Sequence, residues 1–172
     1  MVVLSGSRRM LSDVIKKYGG EKMDPLDVYK DIFRIGEGFI QKEYEDSGSF
    51  KANPIAYYKN ENEDHGHFRI MFEDKFEEIY QNELVNADFC VMNGITYFGA
   101  KYTSDRASKM CAMIFDIDGV TDNSLNNFFY AAFNKEFDYY PLPNYVALSG
   151  HGIHLYYVFE EPVPLLSLIH IS

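Results

Sequence analysis

The spacing of apolar side chains along the chain predicts three helices. Asp24-Pro25 has the capping and first-turn residues of a helix start. Asp74 is expected to cap a second helix, and Asp122 or Ser124 a third. The third helix has the spacing of a core-facing surface. The three apolar stripes are Tyr29, Ile32, Phe33, Phe39 and Ile40; Phe76, Ile79, Tyr80 and Leu84; and Leu125, Phe128, Phe129, Ala132 and Phe133.

Apolar runs and alternating segments predict strands between these helices. The predicted strands are residues 53–58, 67–72, 88–92, 95–98, 110–117, 145–149 and 153–159, and 110–117 is expected to be buried. Asn93-Gly94 is the residue pair typical of a two-residue hairpin turn. Because strands and helices are interspersed, the sequence predicts an α/β or α+β fold with a mixed sheet.

Composition limits the classes of protein that fit this pattern. The chain has 172 residues, of which 47% are hydrophobic, and 14 Tyr and 14 Phe supply large core side chains. There is no apolar run long enough to span a membrane and no pattern of a secretory signal, so no membrane partner is expected. Cys90 and Cys111 have no zinc-ligand spacing, so a zinc site is not expected. Two unpaired thiols fit a reducing cytoplasm.

The formal charge of the chain is −10. This value argues against a simple nucleic-acid coat protein, which would usually carry a basic surface. It does not exclude an enzyme with a locally basic groove, in which metal ions offset the acidic residues.

A pair of carboxylates at the end of a predicted strand is the main chemical signal. Side chains alternate along a strand, so Asp116 and Asp118 face one side, and Phe115 and Ile117 can enter the core from the other. Two adjacent carboxylates repel each other unless a cation lies between them. Mg²⁺ or Mn²⁺ would remove that cost, because hard divalent ions prefer oxygen ligands.

A glycine-rich turn after strand 145–149 is the second signal. Its residues are Ser149, Gly150, His151, Gly152, Ile153 and His154. The glycines allow close backbone approach to an anion, and Ser149 adds a hydroxyl donor. His154 lies on the next strand, where its imidazole can contact a phosphate. One helix and one strand separate this turn from the carboxylates, so both can meet at one end of a sheet.

Together these residues resemble the archaeo-eukaryotic primase superfamily, whose pattern is Asp-x-Asp, a Ser-containing turn with a histidine, and a third acidic residue. The segments that carry the resemblance are Phe115 to Asp118 and Ser149 to His154, with support from Thr96 to Lys101 and Leu155 to Phe159. The likeness covers residues 88 to 165, as in primase-polymerase domains of phage and mobile-element replication proteins. It implies an RRM-like catalytic core in the mixed sheet, preceded by an N-terminal α/β unit.

The resemblance also implies roles for individual residues. Asp116 and Asp118 would hold two metal ions, Mg²⁺ or Mn²⁺, and act with His154 in catalysis. Ser149, Gly150, His151, Gly152 and His154 would bind the nucleotide. The expected partners are a nucleic acid template and nucleoside triphosphates, with a helicase domain or partner in the intact protein. The expected reaction joins a nucleotide to a 3′-hydroxyl during DNA replication.

The third acidic residue of the family pattern cannot be assigned. Residues 166–172, Leu-Ser-Leu-Ile-His-Ile-Ser, match the translation of a sequencing-library adapter and are interpreted as an artefact. Residues 1–165 are therefore expected to be a single domain, incomplete at its C-terminal side, and inactive as a fragment.

Two other functions fit parts of the pattern. In a haloacid-dehalogenase-like phosphatase, Asp116 would be the nucleophile and Asp118 the acid/base, but the glycines and His154 would have no role. The chain could also be a non-catalytic nucleic-acid-binding module that stacks bases on Tyr and Phe side chains. Lys101, Arg106 and Lys109 form a modest basic segment before the aspartates.

Overall fold

The structure is a computed structural model that describes residues 6–45, 51–134, 140–149 and 152–165. Within these ranges the α-helices are α1 (Gly6–Lys17), α2 (Pro25–Ile32), α3 (Phe76–Ile79) and α4 (Asp122–Phe133). The strands are β1 (Asn53–Lys59), β2 (His67–Ile70), β3 (Phe89–Val91), β4 (Ile95–Tyr97), β5 (Ala107–Asp118), β6 (Tyr145–Leu148) and β7 (Gly152–Pro164). The predicted α+β class is confirmed. The RRM-like core remains a prediction.

The strands form a seven-stranded sheet in the order β2-β1-β4-β5-β7-β6, with β3 also paired to β1. The registers of β1 with β2, β3 and β4, of β4 with β5, and of β6 with β7 are antiparallel. This differs from the mixed sheet expected from the sequence. Parallel neighbours need a long crossover, whereas residues 60–66, 98–106 and 149–151 are short connections. The long connection through α4 leads to β6, which pairs with β7.

The contacts divide the chain into two compact units. The first unit contains Met1–Met23 and Ile114–Val158, and the second contains Asp24–Met113 and Phe159–Ser172. β5 and β7 each contribute residues to both units.

The core of the first unit lies where α1 and α4 pack on one face of β6 and β7. Its buried residues are Leu11, Leu125, Phe129, Ile153 and Leu155. Tyr18 on the segment after α1 packs between the rings of Phe129 and Phe133, with centroids at 5.4 and 5.5 Å. Because Ile153 and Leu155 face this core and side chains alternate along a strand, His154 faces the other side of β7.

The second unit begins with α2, where the prediction of the helix start is confirmed. The Asp24 carboxylate accepts the Leu26 N–H at 2.9 Å, and Pro25 occupies the first turn. The predicted end of this helix is wrong. The helix ends at Ile32 because Arg34 has a left-handed φ of 52°, and Phe39 and Ile40 follow outside it. Ile40 is nevertheless fully buried.

The second predicted helix is present but irregular. A 3₁₀ turn (Glu73–Lys75), α3 and a π-helical turn (Tyr80–Leu84) follow one another. Asp74 does not cap it, because its carboxylate accepts the Glu43 N–H at 3.0 Å. The buried residues Phe76, Ile79 and Leu84 confirm the predicted apolar stripe in part.

The predicted hairpin at Asn93-Gly94 is wrong. β3 and β4 pair with successive parts of the same strand: Val91 is opposite Tyr57, and Tyr97 is opposite Asn53. They therefore run in one direction, and Asn93-Gly94 is an interruption between them. A type I′ turn needs positive φ at both central residues. Neither residue has one among the described backbone angles.

Among the residues that the structure describes, no helix combines the length and apolar character needed to cross a membrane.

Candidate active site

The last residues of β5 carry the two predicted aspartates. Asp116 and Asp118 are separated by one residue within the strand, so both carboxylates lie on the same face. Gly119, with a φ of +67°, ends the strand immediately afterwards. The side chain of Asp116 is 66% exposed, which leaves its carboxylate accessible to an ion or substrate.

The structure brings His154 to the aspartates. Its Nε2 lies 3.2 Å from Oδ1 of Asp116, close enough for an ion pair when the imidazole is protonated. His154 is one-third exposed and lies opposite Ala147 of β6. Asp116 and His154 are 38 positions apart in the sequence. The two motifs found in the sequence therefore meet on one face of the first unit.

Gly152 allows the hairpin to approach the aspartate strand. A Cβ atom at this position would lie 1.9 Å from the Ile117 carbonyl oxygen and 2.9 Å from the Asp118 Cα. No side chain fits at such distances, so glycine is required for this backbone contact. The sequence assigned Gly152 to nucleotide binding, and the structure adds a structural reason for its presence.

Ser149 closes the hairpin. Its N–H donates to the Gly152 carbonyl oxygen at 3.0 Å, and its Oγ accepts the Gly152 N–H at 2.9 Å. The Gly152 N–H, expected to face an anion, is therefore engaged within the turn. Ser149 keeps its hydroxyl proton as the group that can donate to a phosphate.

Gly150, His151 and residues 166–172 lie outside the residues that the structure describes. The nucleotide-binding roles of Gly150 and His151 remain predictions, as does the interpretation of residues 166–172 as an adapter artefact.

The other face of β5 differs from the sequence expectation. Phe115 and Ile117 were expected to enter the core, but they are 46% and 39% exposed. The helices of the first unit pack on β6 and β7, and the ring of Phe115 lies edge-to-face with that of Tyr157, with centroids 5.7 Å apart. The expectation of a buried strand is therefore wrong for the end of β5.

The helix that follows the aspartates is capped by a residue that the sequence analysis missed. Thr121 is the N-cap of α4, and its Oγ1 accepts the Ser124 N–H at 3.2 Å. The Ser124 Oγ in turn accepts the Thr121 N–H at 2.9 Å. The signal was available as Thr-x-x-Ser, a variant of the capping box. Asp122, proposed as the cap, is the first residue of the helix.

The donor set fits a divalent ion that also binds substrate. In the described part of the chain, no group of three or more His, Cys, Asp or Glu side chains could hold a metal ion. Mg²⁺ is commonly held by one or two carboxylates together with substrate phosphates and waters. Asp116 and Asp118 could supply two such carboxylates.

The cysteines do not offer an alternative nucleophile. Burial raises the pKa of the Cys111 thiol to about 12. Burial also raises the pKa of Cys90. Both thiols therefore stay protonated near neutral pH, and the thiolate is the reactive form.

No protein-family model, no curated protein and no solved structure matches this chain.

Proposed function

We propose that this chain carries part of the active site of a primase-polymerase-type nucleotidyltransferase. The observation that supports it best is the 3.2 Å contact between Asp116 and His154, beside Asp118. A carboxylate pair with an imidazole on the same face suits a reaction in which metal ions and a nucleotide triphosphate must lie side by side. The proposal includes a nucleic acid template, nucleoside triphosphates and Mg²⁺ or Mn²⁺ as partners.

Each side chain has a proposed role. Asp116 and Asp118 supply oxygen ligands, and a divalent ion bound there would neutralise charge on the phosphates and activate the attacking 3′-hydroxyl. An Nε2–H of His154 would donate to the Asp116 carboxylate or to a neighbouring phosphate oxygen. Ser149 donates its hydroxyl proton to the same phosphates. The Gly152 contact fixes the distance between the hairpin and the aspartates.

A cytoplasmic location fits this proposal. Cys90 and Cys111 are both free thiols, as expected in a reducing compartment. A replication helicase remains a proposed partner, drawn from the family resemblance.

Because residues 1–165 are expected to be inactive as a fragment, the assay uses the domain restored beyond residue 165. It measures incorporation of a labelled nucleotide on a primed and an unprimed template with Mg²⁺ or Mn²⁺. Asp116→Asn and Asp118→Asn should each lower incorporation by at least about 100-fold, because each removes a charge that stabilises the transition state. His154→Ala should weaken nucleotide binding. Asp122→Asn, on the first turn of α4, is the matched control and should retain activity.

The same preparation separates the proposal from the phosphatase alternative. Hydrolysis of a phosphate monoester with a trapped acyl-phosphate at Asp116 would establish the phosphatase. Incorporation that is unchanged in both aspartate variants would contradict the nucleotidyltransferase.

A further inference from the structure

One face of β1, β2 and β3 in the second unit carries a row of aromatic rings. Neighbouring ring centroids are 6.1 Å apart for Phe89 and Tyr57, 5.1 Å for Tyr57 and Phe68, and 5.9 Å for Phe68 and Tyr102. Tyr97 ends the row, 4.8 Å from Tyr102. Tyr97 is buried, so we name the other four residues, Phe89, Tyr57, Phe68 and Tyr102, the aromatic face.

The aromatic face is accessible. Phe68 is 58% exposed and Phe89 is 54% exposed, although both are large apolar residues. The opposite face of the same strands is covered: Ala56 of β1 is fully buried. Its partner Arg69 binds Glu83 of the π-helical turn at 3.1 Å. On the side of the rings, Asn53, Ile55 and Tyr97 are buried as well. The accessible binding surface is therefore the part around Phe68, Phe89 and Tyr102.

The charge on this face differs from that of the chain as a whole. The register places on the same side of the strands Asn53, Ile55, Tyr57, Lys59, Phe68, Ile70, Phe89, Val91, Ile95 and Tyr97. Among these described strand residues the one charged side chain is Lys59, and none is a carboxylate. In a chain of net charge −10, a set of strand residues without a carboxylate can accept a polyanion that the remaining surface would repel.

The chemistry of the rings indicates which class of partner can bind the aromatic face. Nucleic acid bases stack on aromatic side chains whatever their sequence, because every base has a π face. Double-stranded nucleic acid hides its bases, so a row of exposed rings suits an unpaired strand. Lys59, opposite Phe89, and the exposed Lys101, next to Tyr102, are placed to contact phosphates at two positions along the row.

We propose that the aromatic face binds single-stranded nucleic acid by base stacking. The surface lies in the second unit, whereas Asp116 and His154 belong to the first. The proposal shares with the proposed function only the class of partner, and it stands as a binding function that needs no metal ion.

The test is fluorescence anisotropy of a labelled single-stranded oligothymidine with the full chain, in low salt and with EDTA. EDTA removes divalent ions, so binding cannot depend on a metal held by Asp116 and Asp118. Phe68→Ala and Phe89→Ala should each weaken binding about 10-fold, since one stacked ring typically contributes a factor of this size. Phe68→Tyr, which keeps a stacking ring, should restore it.

Two controls separate stacking from general damage. Tyr130→Ala removes an exposed ring from α4 in the first unit and should leave the affinity unchanged. Lys59→Gln should weaken binding and lower the slope of log affinity against log salt by about one, as loss of one phosphate contact does. Thermal melting of every variant confirms that each is folded.

The proposal is overturned if the wild-type chain does not bind the oligonucleotide, or if Tyr130→Ala weakens binding as much as Phe68→Ala. It is also overturned if duplex competes as well as single strand. If the chain self-associates but does not bind the oligonucleotide, and Phe68→Ala abolishes the self-association, the aromatic face binds a second copy of the chain. Incorporation activity that depends on Asp116 can survive each of these outcomes, so the two proposals fail independently.

Discussion

At the scale of single residues, Gly152 sets the geometry of the candidate site. Its missing side chain allows the β7 backbone to lie against the Ile117 carbonyl oxygen. Gly152→Ala should lower the free energy of unfolding by about 2 kcal/mol or more, because a Cβ there can be accommodated only by moving two backbones apart. It should also separate Asp116 from His154. Urea denaturation measures the first effect, and chemical shifts of the His154 ring measure the second.

Gly99 is the matched control for that substitution. Its φ is +72°, and a Cβ atom there would meet no atom within 4 Å. Gly99→Ala should therefore cost only the backbone strain of a left-handed alanine, about 1 kcal/mol. If Gly99→Ala and Gly152→Ala lower the free energy of unfolding equally, the close backbone contact is not the reason that position 152 requires glycine.

The residues of the candidate site were identifiable from the sequence because their signals are local. Strand alternation gives the common face of Asp116 and Asp118, and the order of the elements brings His154 near them. The close contact at Gly152 and the hydrogen bonds of Ser149 depend on how two strands meet. That pairing is not encoded in either segment alone, so these details required the structure.

At the scale of elements, the helix that follows the aspartates depends on its cap. Thr121→Ala removes the acceptor for the Ser124 N–H and should lower the free energy of unfolding by about 1 kcal/mol, the usual contribution of a cap. Asp122→Ala, the cap suggested by the sequence, should cost less, because it alters only the charge near the helix end. Thermal melting of the two variants distinguishes them. A larger loss for Asp122→Ala would contradict the observed cap.

Two elements were predicted incorrectly for the same physical reason. The apolar spacing through Phe39 and Ile40 continues the helical pattern, but Arg34 adopts a left-handed backbone, and the chain leaves the helix. Asn93-Gly94 favours a hairpin locally, yet β3 and β4 both pair with β1. In both places tertiary contacts override a local preference. The starts of α2, β1 and β6, where local signals and packing agree, were predicted well.

At the scale of the whole chain, the distribution of apolar surface was the least predictable feature. The alternating residues Met113, Phe115 and Ile117 of β5 have the pattern of a core strand, but all are well exposed. A sequence shows which residues could be buried. It does not show whether another element covers them, because that depends on where the helices pack.

The exposed apolar side of β5 predicts that the protein associates with itself in solution. Contiguous apolar side chains on a strand favour association through that surface. Phe115→Ser combined with Ile117→Thr should reduce concentration-dependent association, and β-branched threonine preserves the strand preference. Sedimentation velocity over a range of protein concentrations measures the effect. Tyr130→Ser, which changes a more exposed but isolated ring on α4, is the control and should leave association unchanged. If both variants associate like the wild type, another surface is responsible, and the aromatic face around Phe68 becomes the next to substitute.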